Sequence, residues 1–266
     1  MRQKIRVAVL VSGGGTNLQA IIEASRAERI DADVVVVGAD HPDAVGLRRA
    51  ARHGIDTFVI DYPRILKSAK LAASAAMLPE DFDLQEILSK QHLLQSGTQP
   101  EKTKTFFQAR AMAESHLLAA LAPFKVDLLV LAGFMRVLTP YFIDRFGSNW
   151  QRPSIMNIHP ALLPAFPGTD GYGDTYRYGC KVGGCTVHFV DYGEDSGAII
   201  AQRAFAIEET DDLAAIRQKG LALEWQIYPE CIQLFAQGRL KIVKLTHQDR
   251  GGDPRQRLIV KIVSPA

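Results

Sequence analysis

The sequence predicts an α/β protein with a mostly parallel central sheet covered by helices on both faces. Short, β-branched apolar runs at 7–11, 34–37, 58–60 and 128–131 do not alternate with polar residues, as befits strands buried on both sides. Helix-like stretches at 17–29 and 43–53 separate the first three runs, giving a β-α-β-α-β order with right-handed crossovers. A glycine turn joins the first strand to the first helix, where free backbone N–H groups favour an anion.

Residues 1–11 are basic and then apolar, but the apolar run is too short for a leader and passes into Ser-Gly-Gly-Gly, so it reads as the first strand. After Asp61 the rhythm breaks. Residues 62–102 mix Ala-rich and charged stretches with Pro63, Pro79 and Pro100 and read as an insertion, helix-prone where alanine dominates and loop-like over 95–104. Regular structure resumes with a helix over 105–121, a strand over 127–132 and a helix near 140–146. Strands follow at 154–158 and 184–190, the second with a polar face through Thr186 and His188, and then at 198–207. A long helix over 211–236 is capped by Thr210 or Asp211, and 239–245 is expected to close the sheet. The organisation implied is one domain over 1–245, with the insertion at about 62–102, and a polar tail over 246–266.

A chain of 266 residues with 47% hydrophobic content can bury a sizeable core. A net charge of +2, with both signs interspersed, argues against nucleic acid or a membrane surface as partner and leaves a small anionic ligand compatible. No apolar run approaches the roughly 18 residues of a membrane span. Cys180, Cys185 and Cys231 make no even disulfide set, which fits a reducing, cytoplasmic location. Cys180 and Cys185 near His188 lack a second ligand cluster, so no metal is expected.

Three segments carry chemistry. Ser12-Gly13-Gly14-Gly15-Thr16-Asn17 fits neither the dinucleotide fingerprint, which needs glycine where Leu18 stands, nor the nucleoside-triphosphate loop. It suits a single phosphate ester; the simpler alternative is a tight turn with Thr16 capping the helix. In the segment 154–168, strand alternation points Asn157 and His159 the same way into a proline-rich loop. A carboxamide can donate to a developing oxyanion and a histidine can exchange a proton near neutral pH. The third segment, 187–197, leads from a strand into an acidic turn whose Asp195 would, alone, read as a turn stabiliser.

Together, Ser-Gly-Gly-Gly-Thr-Asn-Leu-Gln-Ala-Ile, Leu-Ala-Gly-Phe-Met-Arg-Val-Leu, Met-Asn-Ile-His-Pro-Ala-Leu-Leu-Pro and Thr-Val-His-Phe-Val-Asp resemble the glycinamide ribonucleotide transformylases, or phosphoribosylglycinamide formyltransferases, over 5–61 and 104–241. The resemblance implies a Rossmann-like three-layer formyltransferase fold. It also implies formyl transfer from 10-formyltetrahydrofolate, as co-substrate, to the amine of glycinamide ribonucleotide in purine synthesis, without a metal. By similarity Asn157, His159 and Asp195 are catalytic. Gly14, Gly15, Thr16 and Asn17 hold the phosphate and Glu224 the ribose. Met135, Arg136, Val137 and Leu138 bind folate with Asn157, Asp191 and Asp195, and Lys104 supplies a basic folate contact.

The segment 169–179 departs from the family pattern, with Asp170 and Tyr172 where histidines are commoner, and Leu221 replaces a polar phosphate contact. A 10-formyltetrahydrofolate deformylase and a non-catalytic nucleotide or folate sensor are the competing readings. Either a monomer or a homodimer is compatible with the sequence.

Overall fold

The computed structural model describes residues 4–71, 78–94, 98–248 and 251–264. Seven strands form one sheet in the order β3-β2-β1-β4-β5-β6-β7. They are β1 Ile5–Val11, β2 Ala32–Ala39, β3 Asp56–Val59, β4 Leu128–Leu131, β5 Ile155–His159, β6 Val182–Phe189 and β7 Ile199–Ala206. The first five pair in parallel, while β6 runs antiparallel to β5 and β7 antiparallel to β6. The chain leaves β1 towards the β3 edge and returns to β4 on β1's other side. Such a reversal opens a crevice at the carboxyl ends of the strands, the usual ligand position in open α/β sheets.

Both faces of β1 are buried, which explains why its apolar run does not alternate. Val7, Val9 and Val11 pack with α1 (Thr16–Arg26), α2 (Val45–Arg52) and α8 (Leu213–Ala236). Ala8 and Leu10 face α3 (Tyr62–Leu71), α5 (Pro100–Leu121) and α6 (Pro140–Arg145). In α1, Leu18, Ile21 and Ile22 form an i, i+3, i+4 stripe, each 1% exposed or less and worth about 1.5–3 kcal/mol of burial. The Tyr228 hydroxyl reaches the carbonyls of Leu131 and Met156 at 2.9 and 3.0 Å, seating α8 across β4 and β5.

The long helix begins after Asp212, whose carboxylate accepts from Ala215 N at 2.8 Å; the cap is neither Thr210 nor Asp211. Among the described residues, helices occupy much of the insertion. The 62–71 stretch is helical, α4 spans Leu84–Lys90, and the segment expected to be loop-like up to 104 is already α5 from Pro100, with proline in its first turn. The Ala-rich stretch 72–77 lies outside the described residues. Ile87, Phe107, Ala111 and Tyr141 form a small core of their own, and Lys90 pairs with Asp144 at 2.7 Å. His92 N donates to Tyr192 O at 2.8 Å, so the insertion supports the 191–195 turn.

The strand expected over 239–245 does not close the sheet. β8 (Leu240–Gln248) pairs only with β9 (Pro254–Ile262), in a separate two-stranded ribbon. Leu240, Ile242 and Val260 on that ribbon pack against the α8-side core, so most of the expected tail is a hairpin held by its apolar face.

Candidate active site

A cleft of about 450 Å³ opens at the carboxyl ends of β1, β4 and β5. Gly14, Gly15, Thr16, Asn17, Met135, Arg136, Val137, Leu138, Asn157, His159, Asp191, Asp195 and Glu224 all line it, drawn from segments far apart in sequence.

At one end, Gly15 is the residue before α1 and has φ 67°, the left-handed region. A Cβ there would come 2.7 Å from Gly46 Cα, so both the dihedral and the contact demand glycine. Thr16 is the first helical residue and does not cap the helix; no side chain does. Gly46 N and Arg49 Nε take up the carbonyls of Gly13 and Gly14 at 3.0 and 2.8 Å. What the turn offers a ligand is therefore its N–H groups and the positive end of the α1 dipole.

The adjoining wall is α8. Glu224 accepts from Asn17 Nδ2 at 2.6 Å and from the Tyr172 hydroxyl at 2.5 Å. Burial raises its pKa, and these two bonds only partly offset the rise. Tyr172 enters because residue 220 is glycine: a Cβ there would overlap the Tyr172 ring. Tyr172, the departure noted in sequence, is thus a structural partner of Glu224.

In the centre, Asp195 joins the two residues that strand alternation brought together. Its Oδ2 is 3.1 Å from His159 Nδ1 and its Oδ1 is 3.4 Å from Asn157 Nδ2. His159 Nε2 lies 2.7 Å from Phe166 O, so both ring nitrogens face acceptors. Burial opposes the charged imidazole, yet Asp195 and the Phe166 carbonyl outweigh it and raise the pKa of His159. Burial likewise opposes the Asp195 carboxylate, but the bond from His159, aided by Gly168 N at 2.8 Å, holds its pKa far below the usual carboxylate range. Both His159 contacts favour the charged imidazole beside the carboxylate. Asp195 and Phe166 both have positive φ, 49° and 54°, a conformation costing about 1–3 kcal/mol at a non-glycine residue and concentrated at functional sites.

His188 belongs to the centre although the sequence reading did not select it. Across the β5–β6 pairing it stands opposite Asn157; its Nδ1 donates to Phe189 O at 2.9 Å, leaving Nε2 to accept from Asn157 Nδ2 at 3.2 Å. The signal was the polar face of its strand, unusable until the register was known.

On the far wall, Met135 N donates to Ser12 Oγ at 2.8 Å and Arg136 Nε to Asp40 Oδ2 at 2.5 Å. The segment ends on Thr139, whose N and Oγ1 donate to buried Glu114 at 2.8 and 2.5 Å. Burial pushes the Glu114 carboxyl up to about 7. Lys104 does not join this wall: it is exposed in the first turns of α5 and does not line the cleft. The basic residue that α5 turns towards Arg136 is Arg110. The two guanidiniums lie 5.7 and 5.6 Å from the Tyr62 ring centre, and Arg110 Nη1 is buried without a partner. Arg110 does not line the cleft either; it meets Arg136 across the Tyr62 ring.

Among the described residues, no group of three His, Cys, Asp or Glu is placed to hold a metal ion, and no helix is long and apolar enough to cross a membrane.

Known proteins match most of this chain. The formyl transferase family matches residues 5–232. A phosphoribosylglycinamide formyltransferase of Bacillus subtilis is 32% identical over 228 residues, 86% of this chain and 93% of that one. The trifunctional purine biosynthetic protein adenosine-3 of Drosophila melanogaster is 36% identical over 89% of this chain, which spans only 14% of that longer protein. The crystal structure of glycinamide ribonucleotide transformylase 1 from Symbiobacterium toebii superposes with a TM-score of 0.70 at 35% identity, covering 99% of this chain and 96% of that one. The fold, the cleft and these likenesses together make the chain a member of the formyl transferase family.

Proposed function

We propose that the chain transfers a formyl group from 10-formyltetrahydrofolate to the amine of glycinamide ribonucleotide, a step of purine biosynthesis. The observation that carries this reading is the placement of the Asn157–His159–Asp195 centre between an anion-accepting helix end and the Met135–Leu138 wall in one cleft. The relatives bearing that activity in their names support the same reading.

In this reading Gly14 to Asn17 take the phosphate, Glu224 a ribose hydroxyl, and Met135 to Leu138 with Asp191 the folate. The substrate amine attacks the formyl carbon, a tetrahedral oxyanion forms, the bond from carbon to folate N10 breaks, and N10 gains the proton the amine loses. The protein need not supply a nucleophile, and holding the two reactants side by side contributes much of the acceleration. Asn157 Nδ2 donates to the developing oxyanion, which replaces its long 3.4 Å contact to Asp195 Oδ1. His159 stabilises it as a fixed imidazolium, the Phe166 carbonyl being the partner that oxyanion can replace. With its pKa so low, Asp195 stores no proton; it keeps His159 charged and aimed.

Initial rates of folate product formation, followed by absorbance with and without glycinamide ribonucleotide, test the proposal. Product that requires the ribonucleotide supports it. Product at the same rate without an acceptor makes the protein a deformylase, and ligand binding with no product at all makes it a sensor.

A further inference from the structure

The α1 end of the cleft presents the backbone N–H groups of the glycine turn and the positive end of the helix dipole. It also has a wall whose geometry follows from two contacts. Near the start of α1, Asn17 bonds Glu224 at 2.6 Å; beyond its end, Asp31 N bonds Gln233 Oε1 at 2.6 Å. The two helices therefore run side by side in the same direction. At about 1.5 Å of rise per residue, Leu221 and Arg217 stand roughly 4 and 10 Å ahead of Glu224, past the amino end of α1. They lie where an anion held by that end must sit.

Arg217, Leu221 and Glu224, spaced i, i+4, i+7, share one face of α8, and all three line the cleft. Leu221 offers no polar atom, and Glu224 is acidic and already engaged. Among the described residues the cleft holds no lysine, and its other arginine, Arg136, is on the opposite wall paired with Asp40. Arg217 is half exposed and anchored by a single bond, from Nη2 to Asp170 Oδ1 at 3.0 Å. Asp170 gives its other oxygen to Arg177 at 3.0 Å, so no carboxylate is Arg217's alone. The remaining guanidinium donors are available in the planar fork that suits phosphate.

We propose that Arg217 is a phosphate-binding, specificity-determining residue: it closes the anion site that the glycine turn opens and selects a phosphorylated amine substrate over its phosphate-free counterpart. The identity of that substrate rests on the proposed function; the phosphate contact does not.

The test is titration calorimetry of the full chain with ribose 5-phosphate, for wild type, Arg217→Ala and Arg217→Lys, beside transfer kinetics with glycinamide ribonucleotide and with the phosphate-free riboside. Arg217→Ala should weaken ribose 5-phosphate binding roughly ten- to a hundredfold, as for lost bonds to a charged group, with Arg217→Lys intermediate. The KM for the ribonucleotide should rise by the same factor, while kcat, the folate KM and the kinetics of the riboside stay within about twofold. Equal affinity of wild type and Arg217→Ala for ribose 5-phosphate, no binding by wild type, or equal weakening of ribonucleotide and riboside would overturn the assignment. Arg217-dependent binding of ribose 5-phosphate without formyl transfer would uphold Arg217 and reject the proposed function instead.

Discussion

Asp195 holds His159 through a 3.1 Å contact from Oδ2 to Nδ1, and the aspartate adopts a left-handed backbone conformation to do so. Removing the carboxylate's charge while keeping its shape isolates this relationship. In Asp195→Asn, His159 loses the partner that outweighs its burial, so its pKa should fall below the ordinary 6.5. We predict that kcat drops roughly hundredfold or more, with both KM values little changed. A proton NMR titration of the His159 ring that shows no downward shift would contradict the assigned role.

The same pair sets a pH dependence of stability. The raised pKa of His159 contributes stability fully below about pH 6.5 and loses it as pH climbs through the folded-state value. The depressed pKa of Asp195 contributes above about pH 3.8 and fails as pH falls towards its folded-state value. Urea unfolding of wild type and His159→Gln should therefore show a stability difference in favour of wild type that is largest near pH 5 and shrinks by pH 9. A difference constant across that range would mean the pair is not charged.

Gly220 and Tyr172 are matched in volume. We predict that Gly220→Ala costs about 1–3 kcal/mol by overpacking and raises the KM for the ribonucleotide, because the displaced Tyr172 can no longer hold Glu224. Shrinking the partner as well, in Gly220→Ala with Tyr172→Leu, should relieve the clash but not restore KM, because Glu224 still lacks the Tyr172 hydroxyl. A fully active, fully stable Gly220→Ala would show that the ring has room to move.

On the far wall, Arg136→Ala should raise the folate KM about tenfold or more with a smaller effect on kcat. It should also lower stability, since Asp40 is left buried without its partner. Adding Asp40→Asn should restore stability without restoring the folate KM, separating binding from packing. Lys104→Ala should leave both KM values unchanged; a rise in the folate KM would reinstate Lys104.

What the sequence revealed followed the range of the interactions involved. The parallel sheet was legible because Val7 to Val11 and Leu128 to Leu131 are apolar on both faces, a local property. Asn157 and His159 were legible because two residues of one strand share a side at spacing two. His188 was not, because it meets Asn157 only through the antiparallel register of β5 and β6. The start of α5 was hidden by the insertion that precedes it, and the ribbon of β8 and β9 by a polar exterior that conceals the packing of Ile242 and Val260. Leu221 was read as a missing contact. Arg217, one turn earlier on the same face, became visible only when α8 was placed alongside α1.

In the proposed reaction this cleft moves a formyl group onto a ribonucleotide amine through Asn157, His159 and Asp195. Its most direct test is a single-turnover reaction with ¹³C-formyl-labelled 10-formyltetrahydrofolate and glycinamide ribonucleotide, read by carbon NMR for wild type and Asn157→Ala, with binding of each substrate measured separately. Wild type should place the label on the ribonucleotide amine, while Asn157→Ala should bind both substrates and transfer the label at least a hundredfold more slowly, roughly the loss of one oxyanion donor. Label recovered as formate at a rate indifferent to the ribonucleotide, or transfer undiminished in Asn157→Ala, would contradict it.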